Sequence, residues 1–276
     1  MRGILLGLTL ALASGQGALA ERIISLGGTV TEIVVALGHE GDLVGRDMTS
    51  TYPESVRAVP DVGYYRQLAA EGVLSLTPDL ILADADAGPP EVVAQLQAAG
   101  VKFVQTAPDE GIENIAAKIT TIAAALGEEA KGAELVAKVT ADLAAVQAEA
   151  AAVEGPRKRV VVILAVQGGK IMAAGQDTTG ELMLALSGAE NALQGFSGYK
   201  PVTDEAMLAA APDVILMMDR GPETMSNADL FALPALKGSP AAADQAVIRM
   251  NGVKLLGFGP RTAEAARELL TAFYGG

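Results

Sequence analysis

The chain has 276 residues, half of them hydrophobic, and 33 acidic side chains against 20 basic ones give it a formal net charge of −13. Such an acidic protein repels polyanions, which argues against nucleic acid as a ligand. Cysteine is absent, so disulfides and thiol catalysis are excluded and stability must come from burial of apolar surface. The length suffices for one large domain or two ordinary ones.

The first twenty residues have the pattern of an export signal. Arg2 is followed by an apolar stretch over residues 4–13, too short to span a bilayer, and then by the small residues Ala18 and Ala20 around Leu19. We expect cleavage after Ala20. Because no cysteine follows the apolar stretch, a lipid anchor is not expected, and the mature chain should be soluble.

The first half of the mature chain alternates short strands with helices. A strand over residues 22–26 precedes Thr29 and Glu32, whose spacing is that of a capping box opening a helix that Gly38 ends. The following predicted elements are a strand at 43–45, a polar loop at 47–60, a helix at 68–76, a strand at 80–83, a helix at 90–99 and a strand at 101–105. This alternation predicts a mainly parallel sheet covered by helices on both faces. We assign residues 21–108 to an N-terminal α/β lobe.

Residues 109–155 have a different composition, rich in Ala, Val, Leu, Glu and Lys. Propensity and periodicity both predict helix, interrupted at Gly127 and followed by a long segment over about residues 128–152. Such a helix would measure about 37 Å, so we interpret it as a rigid connector. No strict heptad is sustained, which argues against a coiled coil.

The second half repeats a pattern of the first. Gly63-Tyr64, Glu71, Pro78-Asp79 and the apolar run 80–82 have counterparts in a second set: Gly198-Tyr199, Glu205, Pro212-Asp213 and the apolar run 214–216. We therefore assign residues 156–276 to a similar C-terminal α/β lobe, with a ligand cleft between the two lobes. The alternative is that two unrelated βα units share common turn chemistry.

Catalytic constellations are missing from the sequence. The only histidine, His39, follows a predicted helix end and is interpreted as a partner of the helix dipole. Asp84 and Asp86 come after a predicted strand and are interpreted as turn formers rather than cation ligands. No Gly-x-Ser-x-Gly motif is present. Paired carboxylates for acid–base chemistry are neither suggested nor excluded by spacing.

The chain resembles a periplasmic haem-binding protein of a bacterial ABC haem importer, within the wider family of cobalamin, siderophore and haem carriers. The resemblance covers essentially the whole mature chain. It lies in the segments 25–33, 50–53, 62–76 and 198–202, and the string Gly-Tyr-x-Arg-x-Leu-x-x-Glu-Gly beginning at Gly63 is the part that indicates haem.

The resemblance implies a set of ligand residues. Tyr64 would be the axial ligand of the iron of haem b, and Arg66 would support the phenolate, since a free phenol has a pKa near 10. Tyr65 is the competing ligand, but neighbouring side chains in an extended segment point to opposite faces. Tyr199 is expected to close over the porphyrin, leaving five-coordinate iron, or else simply to pack against the lobe edge. Two further candidate contacts are Met172 and, for a propionate, Lys200.

The resemblance also implies a partner. Glu71 and Glu205 would dock the two lobes onto the inner-membrane ABC permease dimer, which works with its ATPase. The expected protein is then a monomeric, non-enzymatic haem carrier in the periplasm, without stable membrane insertion. A cobalamin or ferric-siderophore carrier is the alternative within binding proteins, and an exported enzyme on a similar scaffold is the alternative outside them.

Overall fold

The computed structural model describes residues 21–108, 111–219 and 225–275. The expected export signal, residues 1–20, lies outside this range. The strands are β1 Ile23–Leu26, β2 Leu43–Arg46, β3 Leu80–Ala83, β4 Lys102–Gln105, β5 Arg159–Gln167, β6 Lys170–Ala174, β7 Glu190–Asn191, β8 Tyr199–Val202, β9 Val214–Asp219 and β10 Val247–Asn251. The helices are α1 Gly28–Ala36, α2 Ala70–Leu74, α3 Pro90–Ala98, α4 Glu113–Leu126, α5 Glu129–Ala151, α6 Thr179–Leu186, α7 Asp204–Ala210, α8 Asn227–Ala232, α9 Pro240–Ala243, α10 Gly252–Leu256 and α11 Thr262–Tyr274.

The strands form two separate sheets. The first has the order β2-β1-β3-β4 with every pairing parallel. The second has the order β10-β9-β5-β6-β8, in which β10, β9 and β5 run parallel and β6 and β8 add an antiparallel extension. The two-lobe α/β architecture expected from the sequence is confirmed, although the second sheet is more mixed than the first.

The repeat seen in the sequence is also a repeat in hydrogen bonding. The backbone N–H of Arg22, just before β1, donates to Oδ2 of Asp79 at 3.0 Å, and the N–H of Arg159, at the start of β5, donates to Oδ2 of Asp213 at 2.9 Å. Each aspartate follows the Pro that precedes the neighbouring parallel strand. The same backbone-to-aspartate hydrogen bond is therefore present at the start of the sheet in both lobes.

Two helices link the lobes. α4 ends at Gly127, whose φ of +71° is left-handed, and α5 then continues for 23 residues, about 34 Å. The long helix and its interruption are thus confirmed. Among the described residues, no helix is both long enough and apolar enough to cross a membrane.

Side-chain alternation along the strands builds a core common to both lobes. In the first sheet Ile23 and Leu80 point to that shared core, while Ile24 and Ile81 point to a separate cluster on the outer face. In the second sheet, Val160 of β5 also points to the shared core. The shared core also takes in apolar residues of α4, α5 and α11, so these helices contribute to the core that both sheets share.

Polar contacts join the lobes at the start of α1. Thr29 donates to the carbonyl of Gly257 at 2.9 Å, and the buried Glu32 accepts two hydrogen bonds from the guanidinium of Arg261. The capping box predicted from Thr29 and Glu32 is therefore wrong, because both side chains bind the other lobe and α1 begins after Gly27 without a side-chain cap.

Candidate functional site

The carboxyl ends of the two sheets face one another across the lobe boundary. Gly28, two residues after the end of β1, lies so close to α10 that a Cβ atom there would be 2.7 Å from the Cγ2 atom of Val253. Val253 in turn follows β10. Ligands of parallel α/β sheets bind at this edge, so the candidate site is sought in the loops around it.

The loop after β2 carries the aromatic segment. Met48 N–H donates to the carbonyl of Gly63 at 2.9 Å, and Gly63 N–H donates to Oδ1 of Asp61 at 2.8 Å. The φ of Gly63 is +93°, a conformation that glycine adopts without strain. These contacts fix the direction in which the chain leaves Gly63 and presents Tyr64.

Tyr64 and Tyr65 do not point to opposite faces as expected of neighbours in an extended segment, because Tyr65 lies in a turn and both rings pack against the outer cluster of the first lobe. The Tyr65 ring is buried against the outer cluster of the first lobe, at 9% exposure, whereas Tyr64 is only half-buried. Their ring centroids are 5.2 Å apart in an edge-to-face arrangement. Of the two phenols, Tyr64 is the more accessible to a ligand.

The pKa of Tyr65 is raised above its ordinary value mainly because burial desolvates the phenolate, and the carboxylate of Asp84 adds to this effect. The nearby guanidinium of Arg66 acts in the opposite direction and does not overcome the other two. Tyr65 is therefore held as a neutral phenol, which disfavours it as an anionic metal ligand.

Arg66 lies where the sequence prediction required it. Its Nη1 donates to the Tyr64 hydroxyl at 3.0 Å, and its guanidinium carbon is 4.9 Å from the centroid of the Tyr65 ring. Burial lowers the pKa of Arg66, but Tyr65, Tyr64 and Asp86 together raise it above its usual value. The site thus contains a permanent cation bonded to an accessible phenol.

Asp86 is the residue that sequence reasoning missed. Its carboxylate accepts a hydrogen bond from Nη2 of Arg66 at 2.8 Å. The interpretation as a turn former holds for Asp84, whose Oδ1 accepts from the Asp86 N–H at 3.1 Å. The signal for Asp86 was its position three residues after the end of β3, but its partner lies 20 residues earlier in the chain.

The candidate residues of the second lobe do not all lie on the same face of their sheet. The Tyr199 hydroxyl lies 2.7 Å from Oγ1 of Thr179 and accepts from the N–H of Gly180 at 3.1 Å, so it is engaged at the start of α6. In the β6–β8 pairing Met172 lies opposite Pro201, and Lys200 lies opposite Ala173. Because facing residues share a sheet face and neighbours alternate, Met172 and Tyr199 lie on one face and Lys200 on the other.

Three other side chains belong to the surroundings of this site. Tyr52 and Met48, on the loop that carries Tyr64, are among the most exposed large hydrophobic residues described, at 48% and 55% exposure. The Tyr52 ring covers the guanidinium of Arg261, 3.7 Å from the ring centroid. Apolar surface from the first lobe is therefore displayed next to the lobe boundary.

Glu71 and Glu205 lie where the sequence placed them, each exposed in the first turn of a short helix, α2 or α7. His39 differs from expectation, since its ring nitrogens contact Asp42 at 2.8 Å and Glu128 at 3.3 Å. Across residues 21–108, 111–219 and 225–275, no cluster of three or more His, Asp or Glu side chains could hold a bare metal ion.

The chain is similar to known proteins in family, in sequence and in structure. A model of the periplasmic binding protein family matches residues 23–253. An uncharacterized ABC transporter substrate-binding lipoprotein of Bacillus subtilis is 31% identical over 201 residues, 72% of this chain and 64% of that protein. The vitamin B12-binding protein of Yersinia pestis is 36% identical over 104 residues, 38% of this chain and 37% of that protein.

The solved structures give a fuller match. A periplasmic heme-binding protein from Roseiflexus sp. RS-1, solved in its apo form, is 39% identical and superposes with a TM-score of 0.89, covering 93% of this chain and 98% of that one. The similarity therefore extends over both lobes and the helices between them. By contrast, the chain spans under two thirds of the length of the two curated relatives above.

Proposed function

The chain belongs to the periplasmic binding protein family, and on that premise we propose that it is a haem carrier rather than an enzyme. It binds haem b between its lobes, with the phenolate oxygen of Tyr64 on the ferric iron, and delivers it to an inner-membrane ABC permease. The observation that carries this proposal is the 3.0 Å hydrogen bond from Arg66 to the Tyr64 hydroxyl. A phenol needs help from a nearby cation to bind as phenolate at neutral pH.

The environment of Tyr64 fits an iron-porphyrin. The Tyr64 residue is half-buried, Arg66 donates a hydrogen bond to its hydroxyl, and the exposed Met48 and Tyr52 offer apolar surface on the same loop. A porphyrin ring is a flat, mostly apolar ligand, for which such surface is suited. In the second lobe, Tyr199 and Met172 are proposed as contacts to the ring and five-coordinate iron as the bound state.

The negative charge of the protein disfavours binding of the two haem propionates. In a strongly acidic protein, the two carboxylates of haem require local cations. Lys200 is proposed for this role, and it is exposed beside the Phe196 ring at 5.9 Å. Because Lys200 lies on the sheet face opposite Tyr199, it would meet a propionate from the edge of the ring and not from its face.

Delivery is proposed to depend on Glu71 and Glu205. They are exposed, they occupy matching places in the two lobes, and a pair of matching acids suits a permease of two similar subunits. Export to the periplasm with cleavage after Ala20 is also part of the proposal and rests on the pattern of the leader sequence. We further propose that the exported carrier is a monomer.

Haemin titration of the purified protein tests the ligand. We expect a shifted Soret band and a high-spin charge-transfer band in the wild type, and loss of the charge-transfer band in Tyr64→Phe. Tyr65→Phe and Tyr199→Phe are the matched controls and should keep it. A wild-type spectrum in Tyr64→Phe would show that another group binds the iron.

The cobalamin alternative has one supporting observation, the similarity of 104 residues to a vitamin B12-binding protein. It is decided by titrating the same preparation with cyanocobalamin in competition with haemin. We expect cobalamin to leave the haemin spectrum unchanged at equal concentration. Displacement of haemin would make cobalamin the preferred ligand.

A further inference from the structure

The guanidinium of Arg66 is held from two sides. Nη1 donates to the Tyr64 hydroxyl at 3.0 Å and Nη2 donates to Oδ2 of Asp86 at 2.8 Å. The Arg66 and Asp86 side chains are 48% and 60% exposed. An ion pair so exposed contributes little to folding stability, so its effect is sought elsewhere.

The loop that carries Asp86 is fixed by its own hydrogen bonds. Asp86 N–H donates to Oδ1 of Asp84 at 3.1 Å, and Ala87 N–H donates to the carbonyl of Asp84 at 3.0 Å. Gly88 N–H donates to the carbonyl of Tyr65 at 2.9 Å. The loop is thereby bonded to the very segment that carries Arg66, so the carboxylate of Asp86 is a fixed point for that side chain.

An exposed arginine loses much rotational freedom when it is confined to one position. The hydrogen bond from the guanidinium to a neutral phenol is weaker than its bond to a carboxylate, in which both partners are charged. Of the two contacts that confine Arg66, the one to Asp86 is therefore the stronger. Groups behind a metal ligand commonly set its orientation and its donor strength in this way.

We propose that Asp86 is a positioning residue of the iron site, whose carboxylate holds Arg66 in the place from which Nη1 donates to the Tyr64 oxygen. The effect of this positioning on iron rests on the proposed function, in which the Tyr64 phenolate binds the iron. The hydrogen bond from Arg66 withdraws electron density from the phenolate and thereby weakens its bond to iron. The strength of the iron bond is then set by a residue that touches neither haem nor Tyr64.

The apo protein tests the positioning by itself. Crystal structures of Asp86→Asn and Asp86→Glu are compared with the wild type. We expect the Arg66 guanidinium to leave the Tyr64 hydroxyl in Asp86→Asn, and to stay within hydrogen-bond distance in Asp86→Glu, which keeps the charge. An Arg66 that keeps its place in Asp86→Asn overturns the proposal, whatever the ligand of the protein is.

The haem complex tests the consequence through the Fe–O(phenolate) stretching frequency in resonance Raman spectra. We expect Asp86→Asn and Arg66→Gln each to raise the frequency, and the double variant to add nothing further. If Asp86 acted only through its charge, its removal would leave the Arg66 charge unopposed and lower the frequency instead. A lowered or unchanged frequency therefore overturns the proposal.

Asp142→Asn provides the matched control, since Asp142 forms an exposed ion pair with Lys138 on α5 at 2.6 Å. It should leave the frequency unchanged. If the wild type shows no Fe–O(phenolate) band at all, the proposed iron ligand fails, and the apo structures still decide whether Asp86 positions Arg66.

Discussion

At the scale of single residues, the site depends on two adjacent phenols in unlike surroundings. Tyr64 is accessible and bonded to Arg66, whereas Tyr65 is buried in the outer cluster of the first lobe. Burial and Asp84 raise the pKa of Tyr65 above its ordinary value. One of the two adjacent rings is thus left accessible, while the other is used for packing.

The raised pKa of Tyr65 gives a prediction for alkaline solution. Below about pH 10 the phenol is protonated in both folded and unfolded chains, so it causes no change in stability with pH. Above that pH the unfolded chain releases the proton while the folded chain keeps it, so the free energy of unfolding falls, by at most about 1.4 kcal/mol per pH unit. In Tyr65→Phe this part of the fall should be absent.

The measurement is urea unfolding from pH 8 to pH 11. The stability difference between the wild type and Tyr65→Phe at pH 8, where the phenol is protonated in folded and unfolded chains alike, controls for any loss of packing. Equal slopes in the wild type and Tyr65→Phe would mean that Tyr65 ionises as readily in the folded chain as in the unfolded one.

Contacts between residues close together in the chain could be predicted from the sequence, whereas contacts between distant residues could not. Tyr64 and Arg66 are two positions apart, and their contact was expected. Asp86 lies 20 positions from Arg66, and Arg261 lies 229 positions from Glu32. The local pattern of Glu32 is that of a capping residue, and only the folded structure shows that its carboxylate binds the other lobe.

At the scale of elements, α4 and α5 pack through a glycine. A Cβ atom at Gly132 would be 2.4 Å from Cβ of Ala123, which lies on the facing helix. Residues 113–126 and 129–151 were expected to be helical because helix propensity and periodicity are local properties. The close approach at Gly132 was not, since it depends on how the two helices pack.

Gly132→Ala should therefore destabilise the protein even though alanine is the better helix former. Helix propensity alone would favour the substitution by about 1 kcal/mol. Overpacking against the Ala123 methyl should cost about 1 to 3 kcal/mol. Since a Cβ atom cannot be accommodated at 2.4 Å without movement of a helix, we expect the net change to be a loss, measured as a lower free energy of unfolding in urea.

Gly72→Ala is the matched control. Gly72 lies within α2, and a Cβ atom there would meet nothing within 4 Å. We expect it to stabilise the protein by up to about 1 kcal/mol. Opposite signs for the two glycines would confirm the packing argument, and equal gains would contradict it.

At the scale of the whole molecule, the repeated acids offer a test of delivery. Glu71→Ala and Glu205→Ala should each weaken binding to the permease by about tenfold, or about 1.4 kcal/mol, if each acid docks one lobe. Haemin affinity should not change, because neither side chain belongs to the proposed iron site. Binding to the permease in nanodiscs, measured beside haemin titration, separates the two effects.

Glu129→Ala controls for loss of an exposed acid from a first helical turn, here that of α5. It should bind the permease as the wild type does. If Glu71→Ala and Glu205→Ala also bind unchanged, the two acids are ordinary solvated residues of their helices, and the docking surface lies elsewhere.

The core shared by the two sheets and the helices between them has a consequence for folding. A chain that repeats itself might be expected to contain two autonomous domains. Here either half alone would leave the inner face of its sheet in water, and the first half would keep the buried carboxylate of Glu32 without its cation. The repeats are therefore halves of one cooperative unit, so neither half should survive as a stable fragment.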